Sequence, residues 1–152
     1  MQEAIQHFSD GNKEIMVKLD ITAIQYMNLF SRITGVKAKF FFPYASSLVF
    51  IVDPFFLMRA IGDRDSNLRR LSITFKKRVK IIADPTPDKI SKFVRILVSP
   101  ARFKSLIVEN DEITIRAGPQ AKASLIGRNH ANLDQLEDIL KHYFHVKTVR
   151  IA

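Results

Sequence analysis

Two four-residue stretches of this 152-residue chain combine backbone freedom with side chains suited to holding an anion: Gly62-Asp63-Arg64-Asp65 and Gly127-Arg128-Asn129-His130. In each, glycine lets the main chain come close to a ligand, and the residues that follow read as a helix start, where free N–H groups and the positive dipole end favour negative charge. The second stretch adds a guanidinium, an amide and an imidazole. The first carries the carboxylates of Asp63 and Asp65, which repel an anion, and Arg64 offsets only one of them. The second is therefore expected to be the better binder. A plainer reading, that Gly62 and Gly127 are only helix stops, stands beside this one.

Both stretches lie in a repeat. Residues 59–71 align without gaps on residues 124–136, so that Ile61-Gly62, Asn67-Leu68 and Leu71 recur as Ile126-Gly127, Asn132-Leu133 and Leu136 at a constant offset of 65. That period exceeds a solenoid repeat and matches a small domain, which points to two tandem copies of one fold. Asn67 and Asn132 read as helix caps before they read as ligand contacts.

Arg69, Arg70, Lys76, Lys77, Arg78 and Lys80 form a basic run without an acid. It is either a solvated face or a stripe that tracks phosphates. Phe40, Phe41 and Phe42 cannot all face one side of a strand, so some are core and an exposed one is a candidate for stacking on a base. His142 and His145 are spaced like a metal pair, but no third ligand accompanies them, and they read as cationic side chains at a helix end. There is no phosphate-binding Gly-x-x-x-x-Gly-Lys loop, no dinucleotide fingerprint and no serine elbow. The expectation is a binding protein, not an enzyme, with no cofactor, no metal and no small-molecule substrate.

Composition agrees with a polyanion as partner. Net charge is +9. Residues 1–84 carry 13 Lys/Arg against 8 Asp/Glu and residues 85–152 carry 11 against 7, so the halves contribute +5 and +4. Twelve Phe supply ample core, and the lack of Cys excludes disulfides and thiolate chemistry. The amino end has no signal-peptide pattern, and the longest apolar stretch, Leu48–Val52, is too short to span a membrane. A soluble cytoplasmic protein with no membrane partner is expected.

The elements that must position the loops can be read in order. The first dozen residues read as a loose lead-in and Glu14–Leu19 as a short strand. A helix spans Ile21–Thr34 and stops at Gly35. Val36–Phe42 and Ser47–Val52 read as strands around the turn Pro43-Tyr44-Ala45-Ser46. Asp53-Pro54 starts a helix to Ile61. A second helix follows Gly62 with Leu68, Leu71 and Phe75 on one face, and Val79–Ala83 closes the unit. Asp84–Asp88 is the linker, rich in proline. The order then repeats: helix Asp88–Val98, strands Phe103–Val108 and Glu112–Ala117, a helix from Pro119 to Ile126, a helix carrying Leu133, Leu136, Leu140 and Tyr143, and a strand in Val146–Ile151. The division is an extension at 1–19 and units at 20–84 and 85–152.

This order, with an Ile-Gly turn between two helices, resembles the type II KH domain, and two such units in tandem resemble the archaeal NusA-like transcription factors. The resemblance runs from about Asp20 to Ala152. Ile24–Val36 looks like the family's first helix, and Leu125-Ile126-Gly127-Arg128-Asn129-His130-Ala131-Asn132-Leu133 looks like its second signature loop. It implies an α+β fold in which each unit packs a three-stranded mixed sheet against three helices. It also implies an RNA-binding factor of transcription elongation or termination that clamps single-stranded RNA, with RNA polymerase as a further partner. The family loop is Gly-x-x-Gly, which holds nucleic-acid backbone. Here Asp65 and His130 replace the second glycine, where a positive φ would cost about 1 kcal/mol or more. That departure favours an alternative, a degenerate KH pair serving as a protein-binding module. Binding of DNA shares the same electrostatics.

Overall fold

A computed structural model describes the backbone of residues 3–10 and 13–152 and the side chains from residue 23 onward. The chain forms two compact units, one built on Met16–Asp84 and the other on Pro85–Ala152. Strands β1 (Glu3–Asp10) and β2 (Lys13–Asp20) form a two-stranded sheet. The expected strand Glu14–Leu19 falls inside β2, whereas β1 occupies residues read as a loose lead-in.

In the first unit, helix α1 (Ile21–Thr34) ends at Gly35, whose N–H bonds to the Ser31 carbonyl at 2.9 Å and whose φ of +70° suits glycine. Strand β3 (Phe40–Tyr44) pairs antiparallel with β4 (Ser47–Val52), and β4 pairs parallel with β5 (Arg78–Ala83). The hairpin is tighter than the sequence suggests. Only Ala45 and Ser46, both at positive φ, make the turn, and Pro43 belongs to the strand. Proline is tolerated there because β3 is an edge strand and Pro43 is exposed. Asp53 caps the next turn through Phe55 N–H at 2.8 Å, with Pro54 at its first position. Helix α2 (Leu57–Ile61) and helix α3 (Ser66–Phe75) follow on either side of Gly62.

One face of this sheet meets the helices. Phe30 of α1 stacks on Phe50 of β4 with ring centroids 4.4 Å apart, Phe41 lies 4.9 Å from Phe50, and Ala60 and Leu71 are fully buried in the same cluster. The opposite face, with Phe40, Phe42, Tyr44, Val49, Ile51 and Ile82, is buried as well. All three consecutive phenylalanines are thus 4–5% exposed, which removes them as candidates for stacking on a base. Alternation does send them to two faces, and all three are core because neither face of this sheet is open.

The second unit repeats the plan. Helix α4 (Ile90–Val98) precedes β6 (Ser105–Glu109) and β7 (Glu112–Arg116), which are antiparallel. Helix α5 (Pro119–Ile126), helix α6 (Ala131–Phe144) and β8 (Thr148–Ile151), parallel to β7, complete it. The offset of 65 holds from the first hairpin strand, Phe40 against Ser105, through the hairpin turn, Ala45-Ser46 against Asn110-Asp111, to the start of α3 and α6. It rises to 70 at the closing strand, where Val79 and Val149 sit opposite Leu48 and Ile113, because α6 runs four residues longer than α3 and its link to the strand is one residue longer. Here only one sheet face is covered. Ile113, Ile115, Val149 and Ile151 are buried, while Ile107, Arg116 and Arg150 are exposed.

Candidate nucleic-acid interface

The two glycine turns have the same backbone. Gly62 has φ 84° and ψ 163°, and Gly127 has φ 75° and ψ 171°, a region that penalises any Cβ. Each closes its preceding helix, with Gly62 N–H on the Met58 carbonyl at 3.0 Å and Gly127 N–H on the Ala123 carbonyl at 2.9 Å. Packing also requires glycine here, for the space beside each is taken. A Cβ on Gly62 would lie 2.8 Å from Asn67 N, and one on Gly127 would lie 2.7 Å from Asn132 Cγ.

Asn67 and Asn132 do cap, but not the helices they sit in. Asn67 Nδ2 donates to the Arg59 carbonyl at 3.2 Å, and Asn132 Nδ2 donates to the Ser124 carbonyl at 3.0 Å. Each thus ties the helix after the turn to the end of the helix before it, and the starts of α3 and α6 have no side-chain cap. The recurring residues now have separate physical roles. Gly makes the turn, Asn spans it, and Leu71 and Leu136, both fully buried, root the second helix in the core. Each such leucine contributes about 2 kcal/mol by burial.

The missing second glycine has a visible consequence. Asp65 and His130 adopt the left-handed conformation, at φ 61° and 62°, and so do their predecessors Arg64 and Asn129, at φ 53° and 56°. Each such residue costs about 1 kcal/mol, less for Asn and Asp, whose short polar side chains tolerate the region. The first loop pays this at Arg64 and the second at His130. The chain nevertheless holds the conformation a Gly-x-x-Gly loop would be free to adopt.

Side chains then divide the loops. Asp63, Arg64 and Asp65 are all exposed, as are Arg128, Asn129 and His130. None of these six forms an ion pair among the described residues. The second loop therefore presents a guanidinium, an amide and an imidazole to solvent ahead of an uncapped helix start, and the first presents two carboxylates around one guanidinium.

The basic run does not gather at the first loop. Arg69 and Arg70 lie within the first turns of α3, whereas Lys76 and Lys77 follow its end, about 15 Å away along a ten-residue helix. Arg78 is exposed at the start of β5. Lys80 is half-buried, and desolvation, aided by Arg78, pushes its pKa down to about 8. It lies opposite Val49 on the buried sheet face, away from the loop. His142 is buried rather than presented at a helix end; its ring lies edge-on to Tyr143, with centroids 4.8 Å apart. His145, exposed and left-handed, ends α6 with its N–H on the Lys141 carbonyl at 3.2 Å.

Sequence reading missed the exposed apolar residues of the first glycine turn. Phe55 is 86% exposed and Met58 77%, while their counterparts 65 residues on are Gln120 and Ala123. Helical phase would have found them. Leu57, Ala60 and Ile61 face the core, which leaves Phe55 and Met58 on the outer side.

Among the described residues the architecture is α+β, with two three-stranded mixed sheets, one two-stranded sheet and six α-helices, consistent with tandem KH-type domains. No family model matches the chain. It is 23% identical over 140 residues to a probable transcription termination protein NusA of Methanococcus vannielii, a match that covers 90% of this chain and 80% of that protein. This supports a NusA-like or KH-domain relationship. The crystal structure of the protein APE1850 superposes with a TM-score of 0.55 at 21% identity, covering 88% of this chain and all of that one, a likeness of fold. No described helix is long and apolar enough to cross a membrane.

Proposed function

We propose that this chain is a cytoplasmic RNA-binding factor of transcription elongation or termination, built of two KH units at 20–84 and 85–152, that holds single-stranded RNA at its second loop and acts by binding without catalysis. The observation that carries this reading is the turn Gly127–His130. Its glycine and left-handed pair bring main chain to the surface, its three side chains suit phosphate, and the helix start behind it lacks a side-chain cap. Arg69, Arg70, Lys76 and Lys77 add general attraction for a polyanion. The transcription role is supported by the NusA similarity.

The test is a titration of the full chain with single-stranded RNA, single-stranded DNA and duplex at several salt concentrations. Single-stranded RNA should bind most tightly, and log affinity should fall with log salt by about 0.7 per phosphate neutralised. Equal binding of all three, or no salt dependence, overturns the proposal.

A second reading is favoured for the first unit by one observation. Exposed Phe55 and Met58 adjoin a loop with two carboxylates, a surface that suits a protein partner such as RNA polymerase better than a phosphate chain. Substitution of both residues by Ala should then leave RNA affinity intact.

A further inference from the structure

We infer that Asn132 is a positioning residue for RNA, setting the shape of the second loop without touching the ligand. This rests on the reading of Gly127–His130 as the RNA site. Three observations lead to it. The Nδ2 group of Asn132 donates to the Ser124 carbonyl at 3.0 Å, eight residues back and in the last turn of α5. The same side chain fills the space over Gly127, where a Cβ would lie 2.7 Å from Cγ and 2.8 Å from Nδ2. Between these two anchors the chain takes two successive left-handed residues, Asn129 and His130, neither of them glycine. Two unfavourable conformations in a row persist only when their surroundings over-determine them. The leucines behind Asn132 fix α6 but lie beyond the loop; Asn132 is the side chain that bridges it.

The first unit supplies an internal control. Asn67 makes the equivalent bond to the Arg59 carbonyl at 3.2 Å and flanks Gly62 in the same way, but the loop it shapes is acidic. Loss of either asparagine should loosen its own loop to a similar degree. Only the loss of Asn132 should be felt by RNA.

The experiment uses the full chain, a fluorescein-labelled 12-nucleotide single-stranded RNA of mixed sequence, and the variants Asn132→Ala and Asn67→Ala. Amide resonances of residues 63–65 and 128–130 report loop shape, and thermal unfolding reports the structural cost. Asn132→Ala should weaken binding by about tenfold and shift the amides of 128–130. Asn67→Ala should shift those of 63–65, with a similar loss of melting temperature and unchanged affinity. If Asn132→Ala does not fold, Asn132→Asp, which keeps the shape and removes the donor, takes its place with the same expectation for the amides. Wild-type affinity in a folded Asn132 variant overturns the inference, as does an equal loss of affinity in Asn67→Ala. Should wild type itself bind no RNA, the functional proposal falls first. The amides then decide the loop claim, which fails if 128–130 do not move.

Discussion

The loops Gly62–Asp65 and Gly127–His130 share a backbone and oppose one another in charge. Their φ angles agree within ten degrees at each glycine and each left-handed residue, and both are spanned by an asparagine bonded to a carbonyl eight residues earlier. What this teaches is that glycine, asparagine and leucine dictate the turn, while the three residues after the glycine are free to choose its partner. Breaking that comparison on the charge side should have the largest effect. Arg128→Asp with Asn129→Asp gives the second loop two carboxylates like the first, without the offsetting guanidinium, and we predict a loss of RNA affinity of at least about 100-fold, since phosphate meeting carboxylate at close range is repelled by several kcal/mol before screening. Asp63→Ala should leave affinity unchanged or tighten it. A titration of both variants, with a check of folding, decides the matter. A folded double variant that binds like wild type would remove the site from this loop.

The backbone side should break symmetrically. Gly62→Ala and Gly127→Ala each force a Cβ into the left-handed region and to within 3 Å of the asparagine. Each should cost about 2 kcal/mol or more. Unequal costs, measured by urea unfolding, would show that the two turns are not the same device. The opposite change is milder. Asp65→Gly and His130→Gly relieve left-handed strain but add chain entropy to the unfolded state, for a net gain of at most about 1 kcal/mol.

How much of this was legible in the sequence depends on whether a feature is local. The Ile-Gly turn, the Asp53-Pro54 cap, the ends of α1 at Ile21 and Thr34 and the α3 face of Leu68, Leu71 and Phe75 follow from residue types at short range, and they hold in the structure. Asn67 and Asn132 were recognisable as caps, but which helix they cap depends on a bond across the turn that propensity does not encode. Core placement was legible for part of Phe40–Phe42; that none of the three is exposed, and that Lys80 is half-buried, depends on what covers the second face of a sheet, a tertiary fact. The counterparts of Phe40, Phe42 and Lys80, which are Ser105, Ile107 and Arg150, lie on the open face of the second sheet, and the sequence marks that difference: Glu112–Arg116 alternates polar and apolar residues, whereas Phe40–Phe42 and Leu48–Val52 are apolar throughout.

The smallest effect sharpens the comparison of the two sheets. Lys80 on β5 and Arg150 on β8 occupy equivalent places, opposite Val49 and Thr114. Arg150 is exposed, whereas Lys80 shares a buried face with Tyr44, whose pKa desolvation pushes up to about 12. The two groups act on stability in adjoining pH windows. Lys80 titrates at about 8 when folded and near 10.5 when unfolded, so between those values the unfolded chain binds more protons and stability rises with pH. Tyr44 ionises near 10 when unfolded and about 12 when folded, so above pH 10 the folded chain holds the extra proton and stability falls. The first unit should therefore be most stable near pH 10. Because Lys80 is half-exposed, its share of the rise is screened to about 1 kcal/mol or less. Urea midpoints from pH 7.5 to 11 should show the rise in wild type and Arg150→Met and lose it in Lys80→Met, while Tyr44→Phe should keep the rise and lose the fall. If Lys80→Met retains the full rise, Lys80 does not carry a burial penalty, and the covered face of the first sheet is more open to water than its neighbours imply.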